Sequence, residues 1–223
     1  MKSVIILIIL LTTSFAVHAQ SFAIIDDKDG YVNVRKAPNG KSPVTGKLLK
    51  DDIFNCLNNG QFGWVNIYNQ ATGVEGFVYK DRIFSLSKFR KWSKNSKDGI
   101  SVSVTSKPFK VKGHKLGYNR DCKNCGAVLE TIDGKYVWGT DGEIPRKVIA
   151  SLTITQNNLP VLIPKSAFND LYEPNFSTLQ VFIGKDNTLY IQLNNSDGAG
   201  GYSVIWVVKN NKYFKRYLDN YFA

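Results

Sequence analysis

Between Tyr31 and Ile83 the chain leaves no room for a long helix. Its apolar residues recur at every second position in short runs, and turn signals interrupt each run. "YVNVR" alternates and stops at "KAPNG", where Pro38 and Asn39-Gly40 mark a turn. "PVTGKLL" and "DIFNCL" follow, and "NNGQFG" supplies a second turn. "WVNIY" places Val65 and Ile67 on one face and Trp64, Asn66 and Tyr68 on the other. "VEGFVY" divides likewise, with Val74 and Val78 opposite Glu75, Phe77 and Tyr79. Roughly five or six strands without a helix predict a small β-barrel. Val34, Val65, Ile67 and Val78 should point inward.

Residues 99–223 carry a second β pattern. "ISVSVT" and "SLTIT" alternate strictly, "TIDGKYVWGTDG" predicts a hairpin around Asp133-Gly134, and "ITQNNLPVLIP" a turn at Asn157-Asn158. "KSAFNDLY", introduced by Pro164, has the length of one or two helical turns. The end is a meander: "LQVFIGKDNTLYIQLNN", the glycine loop "SDGAGG", then "YSVIWVVKNNKYFKRYL". The expected architecture is mainly β. A small barrel spans 20–87, a polar, basic linker 88–98, and a mostly antiparallel β domain with one short helix 99–223.

The segment Tyr31–Ile83 resembles a bacterial SH3-like domain. Val32-Asn33-Val34-Arg35, Pro38, Gly46, Gly63-Trp64-Val65 and Gly76-Phe77-Val78 follow that family's pattern in order. Phe77 stands where the family usually has Trp, and Asp51 or Asp52 replaces a usual Gly. The resemblance covers about a quarter of the chain. It implies a targeting module without catalytic residues of its own, directed to peptidoglycan or to peptide segments. In such a module Arg35 either locks its turn by hydrogen bonds or touches ligand. Trp64 and Phe77 are either half-buried core aromatics or parts of a shallow groove with Tyr68 and Tyr79. The C-terminal half is similar only to uncharacterised exported bacterial β-rich domains, and no activity follows from that.

The first residues point to export. Lys2, an apolar run from Val4 to Leu11, and Val17-x-Ala19 describe a signal peptide over 1–19, with an uncleaved anchor as the competing reading. No cysteine follows the run, so lipid attachment is not indicated, and no later stretch approaches the roughly 20 apolar residues of a membrane span. The chain holds 29 basic and 18 acidic residues, a net of +11. Loss of Lys2 with the signal leaves 28 − 18, about +10. Such charge either draws the protein to anionic polymers and lipid head groups or simply keeps it soluble. Eleven basic residues lie between Lys88 and Lys123, opposed only by Asp98 and Asp121. Lys88, Arg90, Lys91 and Lys94 lead the run, with Phe89 and Trp92 interleaved, a mix suited to anionic polymers. In an exported protein, wall glycan-peptide or another envelope protein is the expected partner, rather than nucleic acid.

Candidates for chemistry are sparse, and neither a cofactor nor a metal is expected. Cys122-Lys-Asn-Cys125 sits in a Gly-rich loop without helical periodicity. It reads as a local disulfide or inert pair, with metal binding and redox chemistry as alternatives. Cys56 is the odd cysteine. A Cys-His hydrolase would need His114, the one histidine beyond the signal, beside a cysteine at a helix start. Carboxylate catalysis needs only two acids, and Asp141, Glu143, Asp170, Glu173 and Asp197 are the candidates. "NNSDGAGGYSV" leads into a β run, so it is not a phosphate loop opening a helix. The sequence reading is a non-enzymatic, exported, envelope-associated binding protein. A wall hydrolase and an inhibitor or immunity-type interaction factor are the alternatives.

Overall fold

The computed structural model describes residues 21–59, 61–119, 126–195 and 200–220. It is mainly β, with antiparallel sheets, and among the described residues every helical element is a three-residue 3-10 turn. The expected short helix is one of these, Lys165–Ala167, behind Pro164. Among the described residues no helix is long and apolar enough to cross a membrane. The expected signal peptide, Cys122, Cys125 and Asp197 lie outside the described residues.

Seven strands build the N-terminal sheet: β1 (Ser21–Ile25), β2 (Tyr31–Arg35), β3 (Val44–Leu49), β4 (Ile53–Asn59), β5 (Trp64–Asn69), β6 (Val74–Tyr79) and β7 (Ile83–Ser85). Their order is β3-β2-β6-β5-β4-β1-β7, and the sheet curls into a half-barrel. Val34, Leu48, Phe54, Ile67 and Val78 fill its concave side, with Val65 packed against them. Gly76 makes the curl possible. At φ +142° its missing Cβ would stand 2.5 Å from the Arg35 carbonyl oxygen, so the close approach of β2 beside the Arg35–Phe77 pair requires a glycine.

The rest of the chain adds β8 (Arg90–Lys91), β9 (Ser101–Pro108), β10 (Leu116–Asn119), β11 (Val128–Ile132), β12 (Lys135–Tyr136), β13 (Lys147–Gln156), β14 (Leu159–Val161), β15 (Gln180–Ile183), β16 (Leu189–Asn195), β17 (Tyr202–Lys209) and β18 (Lys212–Asp219). They form a five-stranded sheet β18-β17-β16-β15-β8 and two three-stranded sheets, β14-β13-β9 and β10-β11-β12. Two hairpins turn where the sequence places them, at Asp133-Gly134 and Asn157-Asn158; a third, at Asn210-Asn211 between β17 and β18, was not singled out. All six residues have positive φ, the backbone that tight two-residue turns require. Within 88–98, Arg90–Lys91 is not free chain; it pairs with Phe182 and Ile183 of β15.

The five-stranded sheet is covered on both faces. On one side Leu189, Ile191, Leu193, Val204 and Trp206 pack against Ile149, Leu152 and Ile154 of β13. On the other, Phe182, Tyr190, Ile205, Val207 and Tyr217 pack against Phe22, Ile53 and Leu86 of the N-terminal half. Two-sided burial explains why β17 reads "YSVIWVV", nearly continuous in apolar residues rather than alternating. It also explains β1, which sequence periodicity does not reveal. In "SFAII", Phe22 faces the shared core while Ala23 and Ile25 face the half-barrel core.

Polar groups pin the same contact. Asn55 Nδ2 donates to Asp219 Oδ1 at 2.9 Å, Tyr217 donates to Asp219 Oδ2 at 2.7 Å, and the Gln70 N–H reaches the Tyr217 hydroxyl at 3.2 Å. At the rim, Lys185 pairs with Asp26 at 2.6 Å and Lys209 with Asp51 at 2.5 Å. The two halves are therefore joined by a core, not by a tether.

Burial sets an alkaline limit on this fold. It pushes the free Cys56 thiol up to about 12, pushes the Tyr172 and Tyr190 hydroxyls up to about 12, and raises Tyr202 and Tyr217 as well. The folded state keeps these protons after the unfolded chain, whose thiol and phenols ionise near 8.5 and 10, has released them. Their contribution to stability is complete below those values and declines as pH rises through about 9 to 12. Urea midpoints should fall steadily across that window, and Cys56 should resist thiol reagents at pH 8 in the native protein. A constant midpoint from pH 8 to 11 would contradict this.

A candidate ligand-binding cleft

Cross-strand register assembles the candidate site on the convex side of the half-barrel. Trp64 lies opposite Tyr79, Asn66 opposite Phe77, and Tyr68 opposite Glu75, on the face away from Ile67 and Val78. The Trp64 and Tyr79 rings meet edge to face, centroids 5.5 Å apart. They form one wall of a cleft of about 270 Å³ that Asp29, Tyr31, Arg35 and Arg82 complete, with Val32 and Val78 also lining it.

Several rim groups are held. Arg35 Nη1 donates to the Ser42 carbonyl at 2.7 Å, which locks the turn after β2 while the side chain lines the cleft. Arg82 pairs with Asp27, and that hydrogen bond holds the Asp27 carboxyl below its usual range. Lys47 Nζ sits 4.3 Å from the Tyr31 ring centroid. Gly63 underlies Tyr79: at φ +84° a Cβ there would lie 3.0 Å from the tyrosine ring. Just before it, Phe62 is held at φ 56° with 88% of its surface exposed.

The four aromatics expected from the sequence therefore divide. Trp64 and Tyr79 line the cleft; Phe77 and Tyr68 share their face but not the cleft. Tyr68 is half-buried at the other end of the ladder, within electrostatic reach of Tyr217. Tyr31, Asp29 and Arg82 were not singled out in the sequence. Tyr31 was within reach, since it opens "YVNVR" on the face opposite Val32 and Val34; Asp29 and Arg82 come from turns, which have no periodicity to read.

The basic set lies elsewhere. Lys88, Arg90, Lys91 and Lys94 are exposed and none lines the cleft. Lys88 approaches the Phe84 ring at 6.0 Å, and Arg90 pairs with Asp98 at 3.2 Å.

Three of the four described acids considered for catalysis are engaged in the framework. Arg216 grips Asp170 through both guanidinium ends, at 2.5 and 2.7 Å. Glu173 accepts the N–H groups of Arg146 and Lys147, and Asp141 accepts the Gly200 N–H. Glu143 is exposed. His114 Nδ1 meets Asp133 Oδ2 at 2.7 Å, and Asp133 also takes the Lys115 N–H, so the pair fastens the loop before β10 to the Asp133-Gly134 hairpin. Among the described residues no three His, Cys, Asp or Glu side chains group as metal ligands.

No family model matches the chain, and a search of curated proteins finds none similar to it.

Proposed function

We propose that the protein is an exported, non-enzymatic binding protein of the bacterial envelope, whose N-terminal half is an SH3-like module that recognises cell-wall peptide or glycan-peptide. The observation that carries this reading is the cleft, where Trp64, Tyr79 and Tyr31 meet Asp29, Arg35 and Arg82. Aromatic rings contribute contact area at low entropic cost. Guanidinium groups suit the carboxylates of a peptide, and the Asp29 carboxylate suits an ammonium group. Wall peptides present both. Export rests on the signal-like residues 1–19, and the exposed basic residues from Lys88 to Lys94 add a sequence-independent pull toward anionic wall polymer.

Co-sedimentation of residues 20–223 with purified insoluble peptidoglycan tests the reading. Tyr79→Ala, at a 39% exposed position, should weaken binding by about tenfold or more, the scale of a lost aromatic anchor. Neutralising Lys88, Arg90, Lys91 and Lys94 together should weaken it and flatten its salt dependence, since exposed charges are screened over about 8–10 Å at ordinary ionic strength. Retention of Tyr79→Ala at the wild-type level would refute the role of the cleft.

A further inference from the structure

Strand β9 is the outer strand of the sheet β14-β13-β9, paired through its whole length to β13 on one side only. Among the described residues no backbone group takes up the hydrogen bonds along its other side. An edge of this kind is a template for a further strand unless it is blunted by charge, proline, irregularity or shortness. The other sheet edges here are blunted. Strand β3 carries Lys47, and β18 carries Lys212, Lys215 and Arg216. Strand β10 has four residues and a register shift, β14 has three including Pro160, β7 has three, and β8 and β12 have two each.

The stretch "SVSVTS", Ser101–Ser106, has neither charge nor proline; Lys107 and Pro108 only close the strand, and the register shift in its ladder lies on β13, between Ile149 and Ser151. Its Val102 and Val104 turn toward the C-terminal core, while Ser101, Ser103 and Thr105 are exposed opposite Thr155, Thr153 and Ser151. Lys97, Lys107, Lys110, Lys112 and Lys115 flank it, all exposed, and no acid occurs from Gly99 to Asn119. The nearest acid before the strand, Asp98, is paired with Arg90.

We propose that β9 is a docking edge for an extended acidic segment of another polypeptide, which adds as a fourth strand beside Ser101–Ser106. Main-chain hydrogen bonds supply the affinity, and the flanking lysines select for acidic side chains. The lysines also argue against a second copy of this chain, because two molecules of net charge near +10 repel.

The test uses residues 20–223 and fluorescent ten-residue peptides of alternating valine with glutamate or with lysine, read by anisotropy. The Val-Glu peptide should bind at least about tenfold more tightly than the Val-Lys peptide, and Lys107→Glu with Lys110→Glu should erase that preference. Backbone N-methylation separates strand pairing from simple polyanion attraction. Methylating every second residue of one parity should weaken the Val-Glu peptide about tenfold or more, whereas methylating the other parity, whose N–H groups face away, should change it little. Equal binding of both methylated peptides would overturn the proposal. So would failure of the Val-Glu peptide to bind, or its displacement by dimerisation of the protein itself through β9.

Discussion

Ile53→Asp should destabilise the entire protein by about 4 kcal/mol or more, and both halves should unfold in one transition. Ile53 is 1% exposed and belongs to the cluster that Phe22 and Leu86 share with Ile205, Val207 and Tyr217. The substitution removes a buried apolar side chain and leaves a carboxyl group without a partner on the joining face. Because the core is shared, tryptophan fluorescence reporting on Trp64 and on Trp206 should be lost at the same denaturant concentration. For the same reason, residues 20–87 cut out alone should be far less stable than in the whole chain, since Phe22, Ile53 and Leu86 would then face water. Separate transitions for the two tryptophans, or a cost below about 1 kcal/mol, would mean that the halves fold independently.

Trp206→Ala is the second large effect, expected at about 3–5 kcal/mol. The indole is fully buried in the other core of the five-stranded sheet, and its Nε1 donates to the Ala167 carbonyl at 2.8 Å. Truncation opens a cavity between β17 and β13 and removes the anchor of the 3-10 turn at Lys165–Ala167. Trp206→Phe should recover most of the packing but not the hydrogen bond, leaving a residual cost of roughly 1–2 kcal/mol. An alanine variant within about 1 kcal/mol of the wild type would show that the surrounding strands collapse to fill the space.

The strands of the half-barrel were legible because one face of each is apolar and the other polar, so "YVNVR", "WVNIY" and "VEGFVY" reveal their inward side directly. Two of the hairpins were legible because Asp-Gly and Asn-Asn accept positive φ. What the sequence hid was the joining of the halves. Its members are single residues from distant elements, Phe22, Ile53 and Leu86 among them, and each fits an ordinary strand or turn on its own. The buried knot of Asn55, Tyr217 and Asp219 spans 164 residues of sequence, beyond any local pattern. The site was half legible for a similar reason. Alternation put Trp64, Tyr68, Phe77 and Tyr79 on one face, but the curl of the sheet decides which of them meet Tyr31 and Arg35.

The cleft is tested most directly by titrating isotope-labelled residues 20–223 with a soluble disaccharide-peptide fragment of peptidoglycan and mapping the perturbed NMR signals. The Trp64 indole N–H and the backbone amides of Tyr31, Arg35 and Tyr79 should shift together and saturate with one dissociation constant, and Tyr79→Ala should raise that constant about tenfold or more without disturbing the core signals of Ile67 and Trp206. Shifts that gather on the C-terminal sheets, or none at ligand concentrations that saturate known wall-binding modules, would contradict a peptidoglycan-reading cleft in this protein.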